Sequence, residues 1–420
     1  MATKVYNGGA TAATQVDSGT PDTVEVSDIF GATLEDKGGN RYRISYTCAA
    51  GADEAARVKD VVDGLTAVAA AASAAGHAPW NAVTVTDDDA ENTYTAANEN
   101  APFTLTLDEE DGGEADTQGH TRAAVTAYDG SSKFSSARNW IGEVAPVADD
   151  DVILAAGATA TLYGEDFSGT VISSFAVERG NAQAIGSDAN PLQLDVGGAG
   201  DSVVDLAGSG TTHLDVDNAA EINVTSCPSS GGFSSGAWGL NLRGDGGASA
   251  TVNFSASGKA CFGATPEAER LGASTAWDCD EFNVSAGELT IGSHVQKHGG
   301  GGFAVNVSGG SVYNRSAAGV VQVTGAGNLT QVEGDVATLH AMTSGTIKVL
   351  TALTITAGRW GPSCHLDLSD GEGAVVVTTS YRYAGCKITD PHNRLSEGTL
   401  NEVVTENKYS QILTGAPASV

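Results

Sequence analysis

The sharpest pattern in the chain lies between Phe282 and Gly361, where short apolar–polar alternations are broken at intervals by Ser, Thr and Gly. One phrase recurs as FNVSAGELTI (282–291), VNVSGGSVYN (305–314), VQVTGAGNLTQV (321–332) and LHAMTSGTIKVL (339–350), then fades into LTITAGRWG (353–361). Period-two alternation predicts strands with one buried face. Gly287, Gly310, Gly327, Gly345 and Gly358 follow one another at 13 to 23 residues, the length of one turn of a parallel β-solenoid with small residues at its corners. The stacked interior is then Phe282, Val284, Val305, Val307, Val321, Val323, Leu339, Ile347, Val349, Leu353 and Ile355. A β-sandwich also uses short strands at regular spacing and is the alternative.

Upstream the pattern changes. TVEVSDIFGATLED and NRYRISYTC alternate as strands on either side of a DKGG turn. Asp53 then stands as N-cap before an apolar stripe of Val58, Val61, Val62, Leu65 and Val68, with Gly76 as the stop and Pro79 beyond it. AVTVT and PFTLTL give two more strands around the acidic turn DDDAENTYTAANEN. The chain therefore reads as mainly β, a small ββαββ N-terminal module followed by a right-handed parallel β-solenoid or β-helix-like domain. Residues 1–22 form a flexible polar arm, 23–125 the α/β anchoring module and 126–150 a linker and loop; 151–395 are the solenoid and 396–420 a tail.

Charge adds a constraint. The 420 residues carry 52 acids against 21 bases, a formal charge of −31. Such a chain repels itself in dilute buffer, but in molar salt a Debye length of about 3 Å silences the repulsion. Acids spread along the whole chain, with only nine Lys, favour a salt-adapted protein over a cation-binding extracellular one. The same surface repels phosphate backbones and excludes nucleic acid as a partner. The Ala67–Ala75 run is too short to span a bilayer, so membrane insertion is not expected, and MATKVYNGGATAATQV lacks the apolar core of a secretory signal. Six cysteines without a C-x-x-C pair argue against a zinc knuckle. Cys261 and Cys279, 18 residues apart, read as two buried thiols or as a bond between stacked turns.

Catalytic candidates are paired carboxylates suited to glycan hydrolysis: Asp215 with Asp217, Asp278 with Asp280 and Glu281, and Asp367 with Asp370 and Glu372. Residues i and i+2 on a strand share a face, yet in so acidic a chain such pairs arise freely, and a solvated or salt-binding face is the simpler reading. Trp277, beside the Asp278–Glu281 acids, is the one carbohydrate-stacking candidate, with packing as its plainer role; Trp238 and Trp360 stand alone. His294 and His298 lie in a Gly-rich loop where a helical metal pair cannot form. The runs Asp87–Asp89, Asp108–Asp111 and Asp149, Asp150, Asp151 lack the spacing of a dedicated calcium loop. They suit diffuse binding of Ca²⁺, Na⁺ or K⁺, and no other cofactor is expected. Six Asn-x-Ser/Thr sequons, at Asn223, Asn253, Asn283, Asn306, Asn314 and Asn328, are glycosylation acceptors in form or a record of the strand pattern.

The stretch ARNWIGEVAPVADDDVILAAGATATLYG, between the α/β module and the Gly-punctuated strands, resembles a phrase of tailed-virus virion proteins. There, N-W-x-G-G-x-x-P-x-x-x-D-D-V leads into a β-helix-like appendage. Asn139, Trp140, Gly142, Pro146, Asp150, Asp151 and Val152 carry it here, and Glu143 replaces the second Gly. With the salt-type acidity, the resemblance implies a surface protein of a tailed virus of a halophilic, archaeal host: a capsid turret or decoration, a head fibre or a tail fibre. It implies a non-enzymatic role in particle stability or host attachment, located at the virion surface. The implied partners are further copies of the chain (a trimer, with a pentamer as the five-fold variant), capsid or tail proteins, and host surface glycan or glycoprotein. A glycan-degrading tailspike is the enzymatic alternative, and a cellular surface-layer protein or adhesin is a third reading.

Overall fold

The computed structural model describes residues 2–8, 14–36, 39–49, 51–97, 103–110, 112, 118–126, 132–158, 160–162, 164–188, 190–198, 202–235, 237–244, 250–263 and 277–403. Strands take 51 % and helices 8 % of it, so the protein is mainly β. Two compact units are distinguished, Met1–Gly200 with Gly208–Asp215, and Asp201–Ala207 with Val216–Val420.

In the first unit a helix, Glu54–Ala74, begins where the sequence indicates: the Asp53 side chain accepts from the Ala56 N–H at 2.9 Å. It ends before Gly76, whose φ of +76° only glycine adopts freely. Val61 and Leu65 are fully buried and Val58 and Val68 partly so, against a core that includes Phe30, Leu34, Trp80, Tyr94 and Phe103. The surrounding strands are antiparallel. Val83–Asp87, Asn92–Ala96, Val16–Asp22 and Gly119–Thr126 form one sheet in that order, and Arg41–Thr47, Ile29–Asp36 and Phe103–Glu110 a second. The module thus has more strands than the pattern suggests. Asn92–Ala96 lies inside the stretch read as an acidic turn, and its alternation buries Asn92, Tyr94 and Ala96. Part of the span read as a loose arm is also strand: Thr3–Tyr6 pairs parallel with Asp151–Leu154, which pairs in turn with Ser174–Val177.

The second unit is built from two parallel sheets between which the chain alternates. One contains Val203–Leu206, Glu221–Val224, Thr251–Phe254, Glu281–Val284, Phe303–Val307, Ala318–Gly325, Val336–Thr343, Leu353–Trp360, Val375–Tyr383 and Leu395–Val403, in chain order. The other contains Leu240–Arg243, Lys259–Phe262, Glu288–Ile291, Ser311–Asn314, Asn328–Gln331, Thr346–Val349, His365–Asp367 and Lys387–Thr389. Val305 pairs with Val321 and Val321 with Leu339, so successive circuits take 16 and 18 residues, while those joining Val252, Phe282 and Val305 take 30 and 23. This pairing is compatible with a β-solenoid and unlike the antiparallel pairing of a sandwich. All eleven interior positions named from the alternation are buried.

One circuit cannot stand alone. Ordering its backbone costs about 1–2 kcal/mol per residue, whereas burying each of Val305, Val307 and Val312 returns roughly 1.5–3 kcal/mol. Stability comes from stacking one circuit on the next. Corners follow from crowding there: Gly287 and Gly310 have φ of +61° and +69°, and a Cβ on Gly287 would lie 2.3 Å from the Ala256 carbonyl oxygen of the preceding circuit. Gly358 is no corner. It sits mid-strand, where a Cβ would lie 2.8 Å from the ring of the fully buried Trp360.

Candidate functional site

In the phrase Asn-apolar-Ser/Thr, strand alternation sends Asn outward, the apolar residue inward and the hydroxyl outward again. Parallel registration then stacks like on like: Asp205, Asn223, Asn253, Asn283, Asn306 and Gln322 are successive register partners. The amides form a ladder. Asn306 Nδ2 donates to Asn283 Oδ1 at 2.9 Å, Asn283 to Asn253 at 3.0 Å and Asn253 to Asn223 at 2.9 Å; Asn223 donates to the Asp205 carboxylate at 2.9 Å. Glu221 accepts a second N–H from Asn253 at 2.7 Å, and Glu281 one from Asn306 at 2.6 Å. Beside the ladder, the Thr225 and Ser255 hydroxyls donate to the Leu206 and Val224 carbonyls of the circuit before, at 3.4 and 3.3 Å. Over this face lies an open groove of about 430 Å³, lined in part by Asn253, Ser255, Asn283, Ser285, Asn306 and Ser308. Its walls carry no charged residue and combine amides and hydroxyls, groups that donate and accept, with Phe254, Val284 and Val307.

The sequons therefore have an architectural use. Nδ2 of each of the six asparagines donates within the fold. Asn314 points inward, fully buried, and donates to the Ser316 carbonyl at 2.8 Å and to Gln331 Oε1 at 3.0 Å. Gln331 in turn donates to the Glu333 and Gly334 carbonyls, so a polar pair closes one interior corner with its groups satisfied.

The carboxylate candidates are held in several ways. Asp215 and Asp217 alternate with buried Leu214 and Val216 and face outward. Asp278 accepts from Gln296 Nε2 at 2.9 Å and lies 3.2 Å from His298 Nδ1, while Asp280 accepts the His298 backbone N–H at 3.1 Å. Asp278, Asp280 and His298 thus come together at the Gly-rich loop, and Glu281 belongs to the amide ladder instead. Burial works to raise the Asp367 carboxyl, but two hydrogen bonds from Ser369 hold it below the usual range, and Asp370 pairs with Lys348. The backbone of Trp277–Asp278 pairs with Val295–Gln296; the Trp277 side chain lies outside the described residues. Trp360 is an interior residue donating to Ser380 Oγ at 2.9 Å.

Asp149, Asp150 and Asp151 belong to the Trp140 phrase, and the fold employs that phrase as a fastening. Buried Asp150 accepts the Ala2 and Val147 N–H groups at 3.0 and 3.1 Å, and Asp151 accepts from Ser174 Oγ at 2.8 Å. Asp149 takes a left-handed φ of +63°. The Asn139 carbonyl accepts from the Asn7 and Gly8 N–H groups, and the Trp140 ring meets Tyr6 and Phe134 edge-on at 5.3 and 5.1 Å. Together they clamp the strand Thr3–Tyr6. Glu143, in the place of the phrase's second Gly, keeps a left-handed φ of +56°, the conformation glycine takes without cost. Among the described residues, three acids do converge closely enough to share an ion, Asp63, Asp87 and Asp89, with ligand oxygens within 4.8 Å of one another. There the Lys59 ammonium is already paired with Asp63 and Asp89.

Two features escaped the sequence pattern. Arg394, 7 % exposed, donates to five backbone carbonyls: Val349, Leu368, Thr351, Glu372 and Gly373, at 2.8 to 3.1 Å. Cys364 and Cys386 lie on adjacent circuits, while Cys261 and Cys279 are buried thiols, not joined by a disulfide, that hydrogen-bond to other groups. Neither feature follows a repeated spacing. No described helix is long and apolar enough to cross a membrane. Comparison with protein-family models, with curated proteins and with solved structures gives no match.

Proposed function

We propose that this chain is a non-catalytic structural protein of a tailed-virus surface, a right-handed β-solenoid that stabilises the particle or displays a host-attachment face in molar salt. The observation that carries this reading is the in-register repetition of the second unit, whose outward side chains are spent on one another along the ladder. Such a surface is stiff and extended. The Trp140 phrase supports the virion assignment through its resemblance, and the −31 charge supports the saline setting. The amide- and hydroxyl-lined groove suits a hydroxyl-rich partner, a host envelope glycan or glycoprotein. Assembly as a homotrimer on capsid or tail proteins completes the proposal, with surface carboxylates taking up Na⁺, K⁺ or Ca²⁺ diffusely.

The test is molar mass by light scattering after size exclusion, in molar salt and again at about 0.1 M, where the Debye length grows from about 3 to about 10 Å. A trimer that loosens at low salt is the expected result. A monomer indifferent to salt refutes both the assembly and the salt argument. Incubation with host envelope glycan separates the enzymatic alternative: binding without new reducing ends supports display. Release of reducing ends, lost on substituting Asp215, Asp217, Asp278 or Asp280, supports a glycan-degrading spike.

A further inference from the structure

We propose that Cys364 and Cys386 form a redox-responsive disulfide that staples the last circuits of the second unit. The two stand one residue before the register partners His365 and Lys387, and the Lys387 N–H donates to the Cys364 carbonyl at 2.9 Å. Side chains of in-register parallel neighbours point the same way from Cα atoms about 4.8 Å apart, inside the roughly 4.4–6.8 Å window that a disulfide spans. The Cys386 thiol lies 3.8 Å from the Lys387 carbonyl, a weak contact that exchange can break. Other cysteines have other partners: Cys261 Sγ donates to Asn241 Oδ1 at 2.9 Å, and Cys279 Sγ lies 3.4 Å from the Glu281 carbonyl.

The environments of the two sulfurs assign them different roles. Cys364 is fully buried, whereas Cys386 is half-exposed and lines an opening of about 360 Å³ with Arg382, Gly385, Glu402 and Val403. Interaction with the Cys364 thiol, and then the charge of Arg382, depress the Cys386 thiol against the opposing effect of burial, while the same interaction and burial push Cys364 up. Cys386 is therefore the attacking thiolate. It displaces one thiolate from a small disulfide such as oxidised glutathione and becomes a mixed disulfide. Cys364 then gives its proton to the departing thiolate, attacks Cys386 Sγ and expels the second. Two protein thiols are oxidised and one small disulfide is reduced to two thiols. The product ties Lys387–Thr389, the last described strand of its sheet, to His365–Asp367.

The experiment treats the folded full-length protein with oxidised or reduced glutathione, then counts free thiols and maps peptides under non-reducing conditions. Oxidation is expected to lower the count from six to four, with a peptide linking positions 364 and 386 within one chain. Cys364→Ser should trap glutathione as an adduct on Cys386, whereas Cys386→Ser should give neither adduct nor link. Six free thiols after oxidation, or a link through another cysteine or between chains, overturn the proposal. The thiol count on the unsubstituted protein keeps the test decisive even if a variant fails to fold.

Discussion

Replacing Arg394 with Met keeps the stem and removes five N–H donors at once. The guanidinium joins carbonyls on successive circuits, from Val349 and Thr351 to Leu368, Glu372 and Gly373. A hydrogen bond to a charged group is worth roughly 1.5–3 kcal/mol, but five such bonds do not add, because they share one side chain and water can enter where it leaves. A buried acceptor left unsatisfied costs roughly 1–3 kcal/mol, and with water reaching some of the five carbonyls a total of about 3–5 kcal/mol is the destabilisation expected for Arg394→Met. Arg394→Lys, with three donors on a flexible stem, should recover part of it. Gly371→Ala should imitate it from the other side, since a Cβ there would lie 2.3 Å from Arg394 Nη1. In a stacked array the damage stays local. Hydrogen exchange should therefore accelerate across 349–403 while the 204–307 strands keep their protection, and a urea titration gives the magnitude. A loss below about 1 kcal/mol with unchanged exchange would refute the reasoning, showing that solvent satisfies those carbonyls as well as the guanidinium does.

Other perturbations test other parts of the fold. Gly358→Ala places a methyl against the Trp360 ring and 3.1 Å from Val377 Cγ1, and overpacking of that kind should cost about 1–3 kcal/mol in chemical denaturation. Asn283→Ala cuts two ladder links, one given to Asn253 and one received from Asn306; a loss of about 1–2 kcal/mol is expected, and thermal unfolding of the variant measures it. Burial holds the His120 imidazole below its ordinary 6.5, against opposing backbone hydrogen bonds. The unfolded chain therefore binds a proton that the folded one refuses, and stability should fall as pH drops below about 6.5. His120→Gln should remove that slope between pH 5 and 6.5, read as the difference between the two proteins' urea midpoints; identical slopes would count against a buried neutral imidazole.

The parts of this fold legible in the sequence are those where one residue dictates one outcome. Asp53 and Gly76 bound the helix because a capping carboxylate and a left-handed glycine act locally, and the alternation from Phe282 to Ile355 names the interior because strand geometry leaves no other face. The strand Asn92–Ala96 was hidden, as its acidic flanks look like a turn, and it is Tyr94 and Ala96, reaching the core of their module, that show otherwise. The sequons were visible as a pattern but not as a ladder, since the partner of each amide comes from a neighbouring circuit 18 to 30 residues away. Arg394 gave no signal at all: its acceptors are carbonyls, which every residue possesses. The carboxylate pairs were equally unreadable, because which acid meets His298 and which meets Asn306 depends on loop closure.

The amide ladder also has a direction. Every link donates toward the N-terminal side, from Asn306 through Asn283, Asn253 and Asn223, and the series ends on the carboxylate of Asp205. Side-chain amide dipoles aligned head to tail sum as peptide dipoles do along a helix, with the positive end where the N–H groups point. Asp205 occupies that end, the place an acid takes at a helix N-terminus. Hydrogen bonds in series polarise one another, so each additional asparagine strengthens the ones before it and the hold on that anion. The outer face of the sheet is thus an electrical rod with its own polarity, separate from the backbone, and its length is set by how many circuits repeat the phrase.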